Sequence, residues 1–353
     1  MKSFLYLSVF ALIVTLSIVT IQDAHASSVT ISDLASCESI SGAVWSTSPD
    51  TCTITIDQTI NSGETWTVNT DVIVFTNPLV TITVDNGGTI DNSGIIRTTP
   101  VGDRYFIGGN ITNSGTINNN SGGSIGNGGG GNITNSGTIN NNSGGSIGNG
   151  GRITNSGTIN NEFGGSIQNA NSLFCCSSGY IINSGSINNN GDIYNDSSID
   201  NSGSIQNNSG GTIENIGNIL NSGIITNNGE LKNFGYINNS GSINNSNSIT
   251  NNSLIDNQCG AVITGITPTG TGTIINFSCP VDKLILNAKN YGVKTKSLEK
   301  ASKVLSDGDL NNDHKACKNL DEFIKQVNKS KITQIQKDEL IADANTVKVS
   351  IGC

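Results

Sequence analysis

Between Ile111 and Ile263 an aliphatic residue recurs twenty-four times, and consecutive members always stand six or eight residues apart. All are Ile except Leu173 and Leu231. Asn follows two residues later in twenty-two cases, with Cys175 and Gly265 as the exceptions, and Gly precedes by two in nineteen. Six residues are too few for a helix that buries a face and too many for a strand without a turn. The unit Gly-x-Ile-x-Asn-x, with an optional two-residue insertion, therefore predicts a short strand and a corner stacked on copies of itself, a parallel β-solenoid. Side chains alternate across a strand, so Ile and the Asn two places on begin on the same side. The pattern predicts an internal Ile column with Asn amides bonded to the Asn above and below. Near-copies of one segment begin at Ile111, Ile133 and Ile153, spaced by 22 and then 20 residues. That spacing equals three rungs plus insertions and favours three sides per coil; a two-sided coil of twelve residues is the alternative.

The 353 residues include 43 Gly, only 13% charged and 5% aromatic residues, and a formal charge of −9. A conventional aromatic core is out of reach for such a chain, and a quasi-one-dimensional stack needs none. Its acidity disfavours nucleic acid as a partner. Residues 1–26 read as a secretory signal: Lys2, an apolar run from Phe4 to Val19, and Ala24-His25-Ala26 as a small-x-small cleavage site. An uncleaved N-terminal anchor is the alternative, and no later segment reads as a membrane span. Eight cysteines agree with an oxidising, extracytoplasmic compartment. Their positions suggest local pairs, Cys37 with Cys52, Cys259 with Cys279 and Cys317 with Cys353, while the adjacent Cys175 and Cys176 suit a vicinal disulfide or a bridge to a second chain. A zinc site is disfavoured for want of a second CxxC or a partnered His nearby.

Around the repeat (85–265) the composition divides the chain. Residues 27–84 hold strand-like runs such as Thr53–Ile56, Thr65–Val68, Val72–Phe75 and Val80–Val84, and read as a cap and first coils. Between Arg97 and Asn110 the rhythm fails in a segment carrying Pro100, Asp103, Arg104, Tyr105 and Phe106; this reads as a protruding contact loop. A linker is expected over 266–280. From Val281 to Cys353 Lys and Glu appear, Gly falls away, and the apolar spacing becomes helical: Leu284, Leu286 and Ala288; Leu298, Ala301 and Leu305; Ala316, Leu320, Phe323, Ile324 and Val327; Ile332, Ile335, Leu340, Ile341 and Val347. A small α-helical bundle is expected there. Through Phe323-Ile324, Val327, Ile332-Thr333 and Leu340-Ile341 this last fifth of the chain resembles the FIMAH domain, a C-terminal helical module of secreted prokaryotic proteins. The resemblance implies surface association and carries no catalytic residues. The Asn/Gly hexads are similar in composition to secreted repeat proteins of archaea.

Sites with chemistry are few. Asp307, Asp309, Asn311 and Asp313 alternate as in the first half of a calcium loop, but Asn312 replaces the turn Gly and Lys318 the closing Glu, so a polar helix connection is favoured over calcium. Between 105 and 263 stand only nine charged residues, among them Asp196, Glu214 and Lys232, and neither His lies there. The recurring groups of polysaccharide-cleaving sites are missing, so no enzyme and no organic cofactor are expected. In the three-sided register Tyr194, Glu214 and Lys232 stack, with an exposed Glu214–Lys232 ion pair expected. Thr112, Thr134 and Thr154 align in a column expected to continue through Phe174, Tyr194, Glu214 and Lys232, which breaks any ice-binding array. The expectation is a mainly β, secreted or cell-surface repeat protein, a spacer, envelope component or weak multivalent binder of carbohydrate. A polysaccharide-active enzyme, an ice-binding protein and a calcium-dependent attachment protein are the alternatives.

Overall fold

A computed structural model describes residues 25–26, 28–98, 108–170, 179–258, 261–276, 280–305 and 313–353. Its main body is a parallel β-solenoid of three sheets with 12, 11 and 11 strands, here A, B and C. One coil runs through Asn110–Asn113 in A, Thr116–Asn119 in B and Ser124–Asn127 in C, and each strand pairs in parallel with its counterpart one coil on. The coil is thus three-sided. The single antiparallel pairing among the described strands joins Ala43–Thr47 to Asp50–Ile54 near the N-terminal end. There α1 (Leu34–Glu38) is capped by Asp33, and buried Cys37 is disulfide-bonded to Cys52.

Every described strand from Asn110–Asn113 to Leu254–Asn257 shows the same alternation: Ile (Leu231 once) inward, one residue outward, Asn inward. From Ile111 to Ile255 the described spine residues are at most 4% exposed, and they form one continuous core with Ile60, Trp66, Ile82 and Ile96 of the earlier coils. Burying each contributes roughly 1.5–3 kcal/mol, and a β-branched chain with one dominant rotamer sacrifices little freedom in doing so.

The Asn side chains are buried beside this spine in three ladders. Asn113 Nδ2, for example, donates to Asn135 Oδ1 at 2.7 Å and to the Thr138 carbonyl at 3.0 Å. The same step repeats from Asn92 to Asn245 in sheet B and from Asn127 to Asn251 in sheet C. All three ladders have one polarity, each amide donating toward the C-terminal end. Where they begin, the coil beneath holds Val84 under Asn113 and Val68 under Asn92, so these two Oδ1 atoms are buried without a partner. In sheet C the first acceptor is satisfied, because Thr98 Oγ1 donates to Asn127 Oδ1 at 3.0 Å.

Two expectations are corrected. The rung expected at Leu173 has no counterpart among the described strands: Ser166–Asn169 of sheet C is followed along the chain by Tyr180–Asn183 of sheet A, and Leu173 itself lies outside the described residues. Its spacing matched the period, but Cys175 stands where a ladder Asn is required, and twenty-three of the twenty-four positions form the spine. The stretch expected as a linker supplies a strand, Thr273–Asn276, paired with Leu254–Asn257. The loop between Arg97 and Asn110 is also narrower at its ends, since Arg97 closes strand Ile95–Arg97 and Asn110 opens the next strand.

A separate helical core follows, built from α2 (Pro280–Asn290), α3 (Lys296–Leu305), α4 (Asp313–Lys329) and α5 (Gln334–Ser350). Helix α2 packs against α3 and α5, and α4 against the same two. Leu284, Leu298, Leu320, Phe323 and Leu340 are fully buried, whereas Leu286 and Ile335 point outward at 59% and 80% exposure. Thr333 caps α5 in a reciprocal box with Gln336. Cys317 and Cys353 are bonded, closing the bundle's last two helices into a loop that restricts its unfolded chain.

Candidate binding surfaces of the solenoid

Because alternate residues face out, each sheet presents two columns of side chains at the ~4.8 Å strand spacing. Sheet B is the most regular. Thr65, Thr89, Thr116, Thr138, Thr158, Ser186 and Ser204 stack in one column. Beside them a second, external amide ladder runs from Asn188 through Asn160, Asn140 and Asn118 to Asp91, with steps of 2.8–2.9 Å. Its polarity is opposite to that of the buried ladders.

Sheet C is the charged and uneven face. One column runs Phe75, Arg97, Gly126, Gly148, Gln168, Tyr194, Glu214, Lys232 and Thr250. Arg97 of the expected contact loop therefore sits half-buried on a strand, while Asp103, Arg104, Tyr105 and Phe106 lie outside the described residues. Tyr194, Glu214 and Lys232 do stack. The ion pair, however, joins Lys232 to Glu230 on its own strand at 3.1 Å rather than to Glu214, because residues two apart on a strand share a face.

Sheet A changes character halfway along. Its lower half carries five threonines in register, Thr59, Thr83, Thr112, Thr134 and Thr154. Above them the column continues as Ile182, Asp200, Leu220, Asn238, Asp256 and Ile275. This corrects the expected continuation through Phe174 and Tyr194, which followed from counting Leu173 as a rung. Here an open groove of about 490 Å³ runs along the stack, lined by Ile182, Asp200, Leu220, Asn238, Ser222 and Gln258 among others.

Two Tyr–Asp pairs stand on this half of sheet A, each joining adjacent rungs diagonally. Tyr180 Oη donates to Asp200 Oδ2, and Tyr236 Oη donates to Asp256 Oδ2 at 2.7 Å. The hydrogen bond that each phenol donates raises its pKa above the ordinary value, with desolvation adding to it, since ionising either would set a phenolate beside a carboxylate. Asp200 Oδ1 accepts from Ser198 Oγ at 3.2 Å, but Asp256 Oδ1 is screened from solvent without a partner. Both pairs span 20 residues in sequence, and they were missed because each joins outward positions that lie diagonally on adjacent rungs, which the repeat leaves free to vary.

Other expected sites give less. Asp307, Asp309 and Asn311 lie outside the described residues and Asp313 opens α4. No group of three or more His, Cys, Asp or Glu placed to hold a metal ion occurs among the described residues. Cys175, Cys176, Cys259 and Cys279 also lie outside them. No described helix is long and apolar enough to cross a membrane.

No family model matches the chain, and no curated protein matches it in sequence. Among solved structures it is similar to a TibC-catalysed hyper-glycosylated fragment of TibA, at 19% identity and a TM-score of 0.25, over 64% of this chain and 88% of that one.

Proposed function

We propose that the chain is a non-catalytic, extracytoplasmic rod that acts as a structural or adhesive element, holding extended carbohydrate or envelope material through repeated weak contacts along its faces. The observation that carries this reading is the continuity of the stack: one aliphatic spine and three amide ladders run through successive coils without a break in register. A scaffold of that kind fixes outward side chains at regular intervals, so many individually weak contacts add along one ligand. Side chains already held in place also lose little freedom on binding. The bundle, through its resemblance to FIMAH modules, supplies attachment to a surface, and residues 1–26 supply export. A polysaccharide array probed with the full-length chain, followed by an assay for new reducing ends, tests the reading. Retention without cleavage is the expected result; turnover, or no retention on any polysaccharide, would overturn it.

A further inference from the structure

We propose that the upper half of sheet A is a saccharide track, a groove that takes a linear, uncharged polysaccharide laid parallel to the solenoid axis. This rests on the adhesive reading above and adds the ligand class and the residues that hold it.

Four features point to that ligand. The first is the lining, in which the apolar Ile182 and Leu220 alternate in height with the polar Asp200 and Asn238, and the column continues above the groove as Asp256 and Ile275. Apolar patches interleaved with hydrogen-bonding groups match a pyranose chain, which presents C–H faces and hydroxyl edges in turn. Leu220, 39% exposed, stands between Asp200 and Asn238 at the middle of the groove.

The second is repetition. The Tyr180–Asp200 motif recurs as Tyr236–Asp256 three rungs higher, about 14 Å along the axis at the usual strand spacing. Two equivalent clamps in line suit a ligand that repeats and runs straight, and a single compact sugar would occupy only one of them.

The third is the sense of the hydrogen bonds. Each carboxylate has one oxygen held by a tyrosine, and Asp256 Oδ1 is buried without a donor. An ionised carboxylate accepts hydrogen bonds and cannot donate them. The track therefore asks its ligand for donors. The fourth is charge. Between residues 108 and 276 there are seven carboxylates and only two cations, Arg152 and Lys232. Uronate and phosphate polymers are repelled by such a surface.

An extended peptide is the competing occupant. Peptides join sheets at edges, where backbone groups are free. Here the strands on either side of the groove are already paired with their neighbours above and below, so the groove offers side chains alone.

The test uses the full-length chain and calorimetric titration with linear neutral β-glucan and chitin oligosaccharides, with alginate as the polyuronate comparison. Leu220→Arg and the double variant Asp200→Asn/Asp256→Asn alter outward positions of the groove. Ile335→Ala, at an outward position of α5, is the control, and thermal unfolding verifies that each variant is folded. The expected result is at least tenfold weaker binding of a neutral oligosaccharide by both groove variants and a change below twofold in the control. Affinity should rise with chain length until both Tyr–Asp clamps are spanned and then level off. If the parent binds neutral glycans and the groove variants bind them equally well, the track is overturned while the adhesive reading stands. Alginate binding as tight as that of the neutral chains would overturn the ligand class. If the parent binds no glycan at all, the adhesive reading falls and the track with it.

Discussion

Asn161 shows how a carboxamide can be kept in an aliphatic interior. Its Oδ1 accepts from Asn141 at 2.7 Å, and its Nδ2 donates to Asn189 Oδ1 at 2.7 Å and to the Asp192 carbonyl at 3.0 Å. Cutting it to alanine strands a donor below and an acceptor above in a dry site, at about 1–3 kcal/mol for each unmet group. Asn160→Ala, on the neighbouring outward ladder, leaves its partners in reach of water. Chemical denaturation should find Asn161→Ala the more damaging by about 2 kcal/mol or more; equal losses would mean that the buried ladder is dispensable. A second consequence concerns the two orphan acceptors. Val84→Thr is nearly isosteric and would place a hydroxyl beneath Asn113, as Thr98 does beneath Asn127. One gained bond is worth about 1 kcal/mol, so the melting temperature should hold or rise, contrary to the usual penalty for a hydroxyl in a core; a fall of several degrees would refute the pairing. Tyr180 and Tyr236 add a pH dependence. Folding raises both phenols above the ordinary value of 10.0, so their stabilisation is complete below the unfolded value and is lost as pH rises through the folded one. Stability measured between pH 9 and 11 should fall less steeply in Tyr180→Phe/Tyr236→Phe than in the parent. At this scale the Ile and Asn positions were legible because each repeats its own register. The Tyr–Asp diagonals were not, since they use outward positions that the repeat does not constrain.

The corners of the coil, more than its strands, set which substitutions an element can absorb. Gly203 opens a sheet B strand where a Cβ would collide with the Gly185 carbonyl oxygen of the coil below. Gly210 sits at φ +90 with open space around it, and Gly148 has open space and no such dihedral. Replacement by alanine should therefore be severe at Gly203, cost about 1 kcal/mol at Gly210, and be nearly neutral at Gly148. Thermal scans of the three variants would check that order, and an unstable Gly148→Ala with an intact Gly203→Ala would contradict the close approach. Elements were readable from the sequence wherever strand and ladder signals coincided. Leu173 shows the limit: spacing alone admitted it, and the missing Asn was the better witness. Strand Thr273–Asn276 was hidden for the opposite reason, because the turn-rich segment before it lacks the hexad period even though its Ile274 and Asn276 keep the pattern.

On the scale of the whole molecule the chain divides into two cores of different chemistry, an aliphatic column and a four-helix cluster. Charge divides with them: thirteen of the 18 Lys and Arg residues fall after residue 280, and seventeen of the 27 acidic residues before it. That separation, like the three-sided coil and the helical bundle, could be read directly from composition and period. The groove on sheet A could not, since a surface feature arises from the outward residues, which the repeat leaves free to vary. The hydrogen bonds between coils also lie parallel to the axis, so tension applied between the first and last coils loads those interfaces in series instead of sharing the load among them. The weakest terminal coil should then peel away first and the rest follow singly. Each release would free the 18–22 residues that separate ladder partners in most coils, about 60–80 Å of extended chain, and single-molecule force spectroscopy should record an evenly stepped trace instead of one rupture.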